Sequence, residues 1–303
     1  MKDLKPLYLE TFRRGALREK VQSAEVLLRR CMVCPHACGV NRLAGERGLC
    51  STGRYAVVAS YYPHFGEEEP LVGRRGSGTI FFSHCNLLCS FCQNYEISHE
   101  GEGREITGQG LAAVMLYLQE QGCHNINLVT PTHVAPQILT ALEIAVSRGL
   151  SIPLVYNTGG YDSVQTLKLL EGVIDIYMPD FKFWGTEVAA ATTNAPDYPE
   201  VARQAIREMH RQVGDLIINQ RGIAQRGLLV RHLVLPHNLA GSKEVMKFLA
   251  EQISADTYVN VMDQYRPAGK AGNYGKLSRP LKSEEYEAAL QAAHAVGLRR
   301  YLR

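Results

Sequence analysis

From about residue 79 onward, short apolar runs alternate with longer amphipathic stretches, and nothing else in the sequence restricts the fold as tightly. Six runs read as strands: residues 78–82, 125–129, 152–156, 173–177, 228–235 and 257–262. Between them lie helical patterns, such as residues 111–118 ahead of Gly122 and residues 135–148 ahead of Gly149. A glycine just past the last periodic residue is a helix stop. Continuous apolar strands joined by helical crossovers imply a parallel sheet covered by helices. Six such units fit an α/β fold of the partial (βα)6, TIM-like barrel type, with its site at the carboxyl ends of the strands. A doubly wound open sheet fits the same pattern. Residues before 71 break the rhythm. Residues 16–30 predict a helix with Leu17, Val21, Ala24 and Leu28 on one face and a solvated basic face opposite. The expected division is residues 1–70, a helix plus a cysteine-rich module, and residues 71–303, the α/β unit. The least regular stretch, 183–198, reads as a lid, a substrate contact or a structural insertion.

Cysteine spacing carries the chemistry. Cys85-x3-Cys89-x2-Cys92 follows the run Thr79-Ile80-Phe81-Phe82, so its thiols belong to the loop leaving that strand. A cubane [4Fe–4S] cluster normally takes four thiolates. Three thiolates leave one iron without a protein ligand, an arrangement suited to binding a small molecule. Three core cysteines, or half of a zinc knuckle, are the plainer alternatives. A second group, Cys31-x2-Cys34-x3-Cys38-x11-Cys50, places four thiols within twenty residues. Pro35, Gly39, Gly45 and Gly48 supply turns that let the backbone wrap a metal. Structural zinc and a fully ligated second [4Fe–4S] cluster both suit it, although zinc usually pairs two Cys-x2-Cys knuckles and only one is present. His36 falls outside the ligand set, behind the thiols or facing solvent. Cys123 reads as a small buried hydrophobe.

Cys-x3-Cys-x2-Cys with Phe91 just before its last cysteine resembles the radical S-adenosylmethionine (SAM) superfamily, in which the open iron chelates the amino and carboxylate groups of SAM. That resemblance favours the partial barrel over the doubly wound sheet. It also implies polar groups at the other strand ends. Val129-Thr130-Pro131-Thr132-His133 replaces the family's usual glycine- and glutamate-containing segment, leaving Thr130 and Thr132 as substitutes for its amino-group contact. Tyr156-Asn157-Thr158-Gly159-Gly160 offers an amide, a hydroxyl and close backbone access. Met178-Pro179-Asp180-Phe181-Lys182 puts alternate residues on one side. This Met-x-Asp-x-Lys run resembles pyruvate formate-lyase activating enzyme and its relatives. It implies Lys182 on the SAM carboxylate, and Asp180 with Asn157, Thr158 and the Met178 carbonyl around a cation. Asn157 stands where that family has an aspartate. Arg231 matches a family arginine near SAM; ordinary salt bridging is the alternative for Lys182 and Arg231, since a charge within a strand needs a partner. Phe91 and Asn94 are expected beside the cofactor. The match runs from about Cys31 to Tyr274, through His64-Phe65-Gly66-Glu67-Glu68-Glu69-Pro70, Gly76-Ser77-Gly78-Thr79-Ile80 and Cys92-Gln93-Asn94. It points to an uncharacterised branch of activating-enzyme-like proteins, whose substrate it does not imply.

The expected activity is reductive cleavage of SAM followed by hydrogen abstraction from a substrate. The substrate is a glycine backbone in a partner enzyme, a peptide side chain or a small molecule. An iron–sulfur electron carrier or a zinc-bearing scaffold is the rival from another class. The enzyme reading implies a low-potential donor such as flavodoxin or ferredoxin. A net charge of +3 is too balanced to argue for nucleic acid. No apolar run approaches the ~18 residues of a membrane span, and the first six residues lack a signal-peptide core. Seven of eight cysteines fall in ligand-like groups, in a chain too long to need disulfides, so a reducing cytoplasm is expected.

Overall fold

The computed structural model describes residues 3–302. The chain opens with helices α1 (Leu7–Arg13) and α2 (Ala16–Arg29), the irregular cysteine segment, strand β1 (Ala56–His64) and the short helix α3 (Glu69–Val72). Strand β2 (Ser77–Phe82) leads through the Cys85 loop to β3 (Arg104–Ile106). Then come α4 (Gly108–Glu120), β4 (Ile126–Val129), α5 (Ala135–Ser147), β5 (Leu154–Thr158), α6 (Val164–Leu170) and β6 (Ile176–Pro179). Helices α7 (Thr186–Thr192) and α8 (Tyr198–Val213) and the two-residue β7 (Ile217–Ile218) precede β8 (Ala224–Leu233). The chain closes with α9 (Ser242–Phe248), β9 (Tyr258–Met262), α10 (Ser283–Ala295) and β10 (Arg300–Leu302).

Local chemistry explains the element ends. The Thr107 hydroxyl caps α4 by accepting the Gly110 N–H at 3.2 Å. Pro136 starts α5, where its missing N–H costs nothing, and Gly149 (φ 100°) ends it in a conformation that favours glycine. Helix α2 buries Leu17, Ala24 and Leu28 on the predicted face, with α5 and α6 packed against it. Each fully buried leucine there is worth roughly 1.5–3 kcal/mol.

The strands form one mixed sheet around which the helices are laid. Its order is β10-β9-β8-β6-β5-β4-β2-β1-β3, with β7 attached to β8. Seven strands, β2, β4, β5, β6, β8, β9 and β10, run parallel, and each lies beside the one before it in that series. A doubly wound sheet reverses direction at a switch point; this order has none. Strands β1 and β3 extend one edge in antiparallel fashion. Residues before 71 thus share sheet and core with the rest: Tyr8 and Leu17 belong to the same buried cluster as Leu128, Val230 and Leu298. Leu71 joins Val155, Ile176, Met178 and Leu229 in a second cluster.

All six anticipated runs contain strands; those at 125–129 and 257–262 begin one residue later than expected, and those at 152–156 and 173–177 two and three residues later. The run at 173–177 is displaced because Val173 and Ile174 are buried in the turn after α6, where Val173 N–H donates to Leu170. A buried turn and a buried strand have the same apolar signature. The irregular stretch 183–198 contains α7. Among the described residues, no helix is long and apolar enough to cross a membrane.

Asp175 ties the N-terminal segment to the sheet by accepting N–H bonds from Leu7 (2.8 Å) and Leu154 (3.0 Å). Burial raises its carboxyl to about 7 against those two bonds. An unfolded aspartate releases its proton near 3.9. Between these values the native state holds the extra proton, so the contribution of Asp175 to stability falls as pH rises from about 4 to about 7. Burial holds the His133 and His232 imidazoles down to about 3 and about 4, so these two groups act in the opposite sense over the same interval. The unfolding free energy of the native sequence minus that of Asp175→Asn isolates the carboxyl and should decline from about pH 4 to about pH 7; a constant difference would contradict the shift at Asp175.

Candidate active site

The loop leaving β2 delivers three thiols to the carboxyl ends of the parallel strands. Cys85, Cys89 and Cys92 line a cavity of about 290 Å3, shared with Asn94, Thr130, Asn157, Asp180, Lys182 and Arg231. Two non-glycine residues of this loop, His84 (φ 68°) and Leu88 (φ 49°), adopt left-handed backbone, a conformation enriched at functional sites. Cys89 is buried, and Cys85 and Cys92 are half-buried. The Leu87 N–H donates to Cys85 Sγ at 3.3 Å, and Ser98 Oγ donates to Cys92 Sγ at 3.2 Å. Burial pushes the Cys85 and Cys89 thiols up; the Leu87 and Leu88 N–H groups oppose this at Cys85, and Lys182 opposes it at Cys89. Without metal these are therefore neutral thiols, which iron would deprotonate on binding. Polar donors aimed at sulfur, in a partly desolvated pocket, fit a set of thiolate ligands. Phe91 is buried beneath the loop, edge-on to Phe183 (5.8 Å) and Tyr265 (6.2 Å).

Facing the thiols is a compact charge cluster built from three adjacent strand ends. Arg231 donates from Nε to Asp180 Oδ1 at 2.8 Å and from Nη2 to Asn157 Oδ1 at 2.7 Å. Lys182 Nζ reaches the other Asp180 oxygen, and Glu67 Oε2 lies 3.7 Å from Arg231 Nη1. Burial would raise the Asp180 carboxyl, yet Arg231 and Lys182 outweigh it and hold the group below its usual range. Burial likewise works against Lys182, but Asp180 and then Cys89 hold its ammonium above the ordinary lysine value. For Glu67, burial wins over Arg231 and pushes the carboxyl up. Asp180 is shared by both cations, and Glu67 and Glu68 also act on Arg231, so ordinary salt bridging, the alternative for Lys182 and Arg231, is what the structure shows. The Lys182 ammonium is the positive charge felt at Cys89.

Tyr198, absent from the sequence reading, holds these strand ends together. Its hydroxyl accepts the Lys182 N–H at 2.9 Å and lies 2.8 Å from the Asp180 carbonyl and 3.0 Å from that of Gly159. Only glycine fits at Gly160 (φ 82°), where a Cβ would lie 2.3 Å from the Asp180 carbonyl oxygen. The Gly159-Gly160 pair was the sequence signal of that close approach, but nothing in the sequence said that Tyr198 completes it. Thr130 (φ 60°) faces the cavity. The Thr132 hydroxyl is instead engaged with Thr158 (2.9 Å) and Asp162 (2.8 Å), in a buried network that also takes the Tyr156 hydroxyl.

The second cysteine group lies outside this cavity. Cys31, Cys34 and Cys50 are buried and Cys38 is exposed. Burial pushes the Cys34 thiol up to about 12, and the nearby Cys50, Cys31 and Cys38 add to this against the His36 N–H. Among the described residues, no three His, Cys, Asp or Glu side chains are gathered into a single-ion site. A cubane binds each thiolate at a different iron, so its cysteines stand farther apart than the ligands of one ion. His36 is half-buried and hydrogen-bonded to the Asn86 carbonyl rather than free in solvent. Cys123 is buried, as expected. A larger cleft of about 700 Å3, against Arg74, Arg75, His124 and Arg221, contains neither the cysteine triad nor the charge cluster.

No family model matches the chain. An uncharacterized protein of Methanocaldococcus jannaschii is 32% identical over 304 residues, spanning 96% of this chain and 82% of that protein. The chain belongs to that protein's family. It also overlays on the crystal structure of QueE from Escherichia coli with a TM-score of 0.43 and 8% identity, covering 82% of this chain and 92% of the other. A likeness that loose carries no assignment of its own.

Removing Asp180 should expose how much the charge cluster matters. Asp180→Ala leaves two partly buried cations without their shared counter-charge, a loss on the order of 3 kcal/mol. Urea denaturation should register it. The Asp180→Ala/Arg231→Ala double variant should lose less than the sum of the two single losses, because the unpaired guanidinium goes too.

Proposed function

We propose that the chain is a radical SAM enzyme on a partial (βα)6 barrel, in a branch resembling pyruvate formate-lyase activating enzyme. One observation carries this reading. Three cysteine thiols with the spacing of the superfamily motif share one cavity with the Asp180–Lys182–Arg231 cluster, at the carboxyl ends of sequentially ordered parallel strands. In such folds those ends are where ligands bind. A cluster held by Cys85, Cys89 and Cys92 would supply the electron for reductive cleavage of SAM and so the means of abstracting hydrogen from a substrate.

The chain's own residues bind and orient. Lys182 and Arg231 receive the methionyl carboxylate, with Asp180 fixing both cations and Asn157 fixing the guanidinium. Thr130 and Asn94 are placed for the remaining polar atoms of the cofactor, and Thr132 serves by holding Thr158. The apolar wall of Phe81, Val129, Leu233 and Met262 keeps water from the reacting atoms. A glycine backbone in a partner enzyme is the substrate class favoured by the activating-enzyme resemblance, ahead of a peptide side chain or a small molecule. A low-potential donor such as flavodoxin or ferredoxin completes the reading, with the eight free thiols suited to a reducing compartment.

Two measurements test it. Anaerobically reconstituted protein should cleave SAM reductively, and Cys89→Ala should abolish turnover; full turnover by that variant would sink the assignment. Lys182→Ala should weaken SAM binding about ten- to a hundredfold, the equivalent of one charge-assisted hydrogen bond of roughly 1.5–3 kcal/mol. Its cluster iron should be unchanged, because no thiol is touched.

A further inference from the structure

The two cysteine groups, far apart in the chain, meet at one small bridge. His36, between Cys34 and Cys38, donates from Nε2 to the carbonyl of Asn86 at 2.7 Å, and Asn86 directly follows Cys85. The Asn86 side chain is buried and donates to the Tyr161 carbonyl at 2.8 Å. The Tyr161 ring packs on the His36 ring with centroids 5.1 Å apart, and its hydroxyl donates to Asp197 at 2.8 Å. These contacts fix the N-terminal module against the triad loop itself rather than against an unrelated face.

The module is shaped around its sulfurs. The Cys31 N–H donates to the Val40 carbonyl at 2.8 Å and its carbonyl accepts the Gly39 N–H at 3.0 Å, folding the first three cysteines into a knuckle. A Cβ at Gly48 would sit 2.8 Å from Cys38 Sγ, so the arm carrying Cys50 lies directly on that knuckle. Three of the four thiols are buried, while Cys38 opens to the surface. The module is hydrogen-bonded at the residue next to a ligand of the other site.

We propose that Cys31, Cys34, Cys38 and Cys50 hold a second, fully ligated [4Fe–4S] cluster that passes electrons to the triad cluster across the His36–Asn86 bridge. The proposal rests on the radical SAM reading of the triad. A low-potential one-electron donor, a reduced flavodoxin or ferredoxin, loses one electron at the Cys38 edge. The outer cluster accepts it and is reoxidised as the triad cluster is reduced; no heavy-atom bond forms or breaks. His36 is a positioning residue that holds the two loops in register.

The test uses the full chain, reconstituted anaerobically. Native protein should carry about eight irons, and the Cys85→Ala/Cys89→Ala/Cys92→Ala variant about four, as expected for two cubanes. Electron paramagnetic resonance of the fully reduced native protein should show spin–spin broadening that vanishes in that variant. His36→Ala keeps every thiol, so both clusters should load. Its triad cluster should nevertheless be reduced by flavodoxin hydroquinone at least tenfold more slowly, and His36→Gln, which retains an N–H donor, should restore most of the rate. Zinc in the N-terminal site, or an unchanged reduction rate in His36→Ala, overturns the relay. If SAM still perturbs the triad cluster's spectrum in those cases, the radical SAM reading survives the relay's failure. A triad that binds no iron overturns both.

Discussion

One carboxylate links the seam between β6 and β8 to the candidate site. The ladder between these strands spans only Ile176 opposite Gly227 and Tyr177 opposite Leu228. Pro179 has no N–H to extend it, and the chain next touches β8 at the Asp180–Arg231 bridge, where Phe181 N–H donates to the Arg231 carbonyl at 2.8 Å. The Asp180 side chain therefore does two things at once. It closes the carboxyl-end part of the seam by ion pairing with Arg231, and it sets the Lys182 ammonium at the cavity. Loss of that carboxylate would loosen both the carboxyl end of the seam and the two cations at the cavity.

Much of this was legible in the sequence. The alternation of apolar runs and helical stretches announced a parallel α/β sheet, and the Cys85 loop was expected at the carboxyl end of its first strand, where it lies. Asp180 and Lys182 were expected on one side of a strand end, and they are ion-paired there. Long-range register was not legible. β1 pairs with β2 at residues such as Tyr61 and Tyr62, whose side chains are half exposed, and the strand carries no clean alternation of buried and exposed positions. Strand β10 is three residues long, too short for a periodic signal. Tyr198 and Asn86 act through single hydrogen bonds to backbone atoms distant in sequence, and local patterning does not encode such bonds. Thr132 illustrates the converse: a hydroxyl at the expected strand end, drawn into the Asp162 network by neighbours that the sequence could not place beside it.

The site's electrostatics are arranged in two layers. Near the thiols, Lys182 lowers the cost of a thiolate at Cys89, and deeper in the sheet Arg231 is balanced by Asp180 and approached by Glu67. Burial penalises each charge, so the cluster persists only because each cation has an anionic or amide partner within hydrogen-bond reach. A bound carboxylate would take over part of that role for Lys182. The ligand is thereby coupled to the same residues that hold β6 to β8, and cofactor binding should stiffen the strand ends around it.

The central claim is that the triad presents an open iron to the amino and carboxylate groups of SAM in front of Lys182. Electron–nuclear double resonance on the reduced, reconstituted protein addresses it directly, using SAM labelled with 15N at the amino group and 13C at the carboxylate. The account predicts hyperfine coupling from both labels to the cluster spin in native protein, weakened or lost in Lys182→Ala. A fully loaded, reduced cluster that shows no coupling to either label at saturating SAM would contradict it.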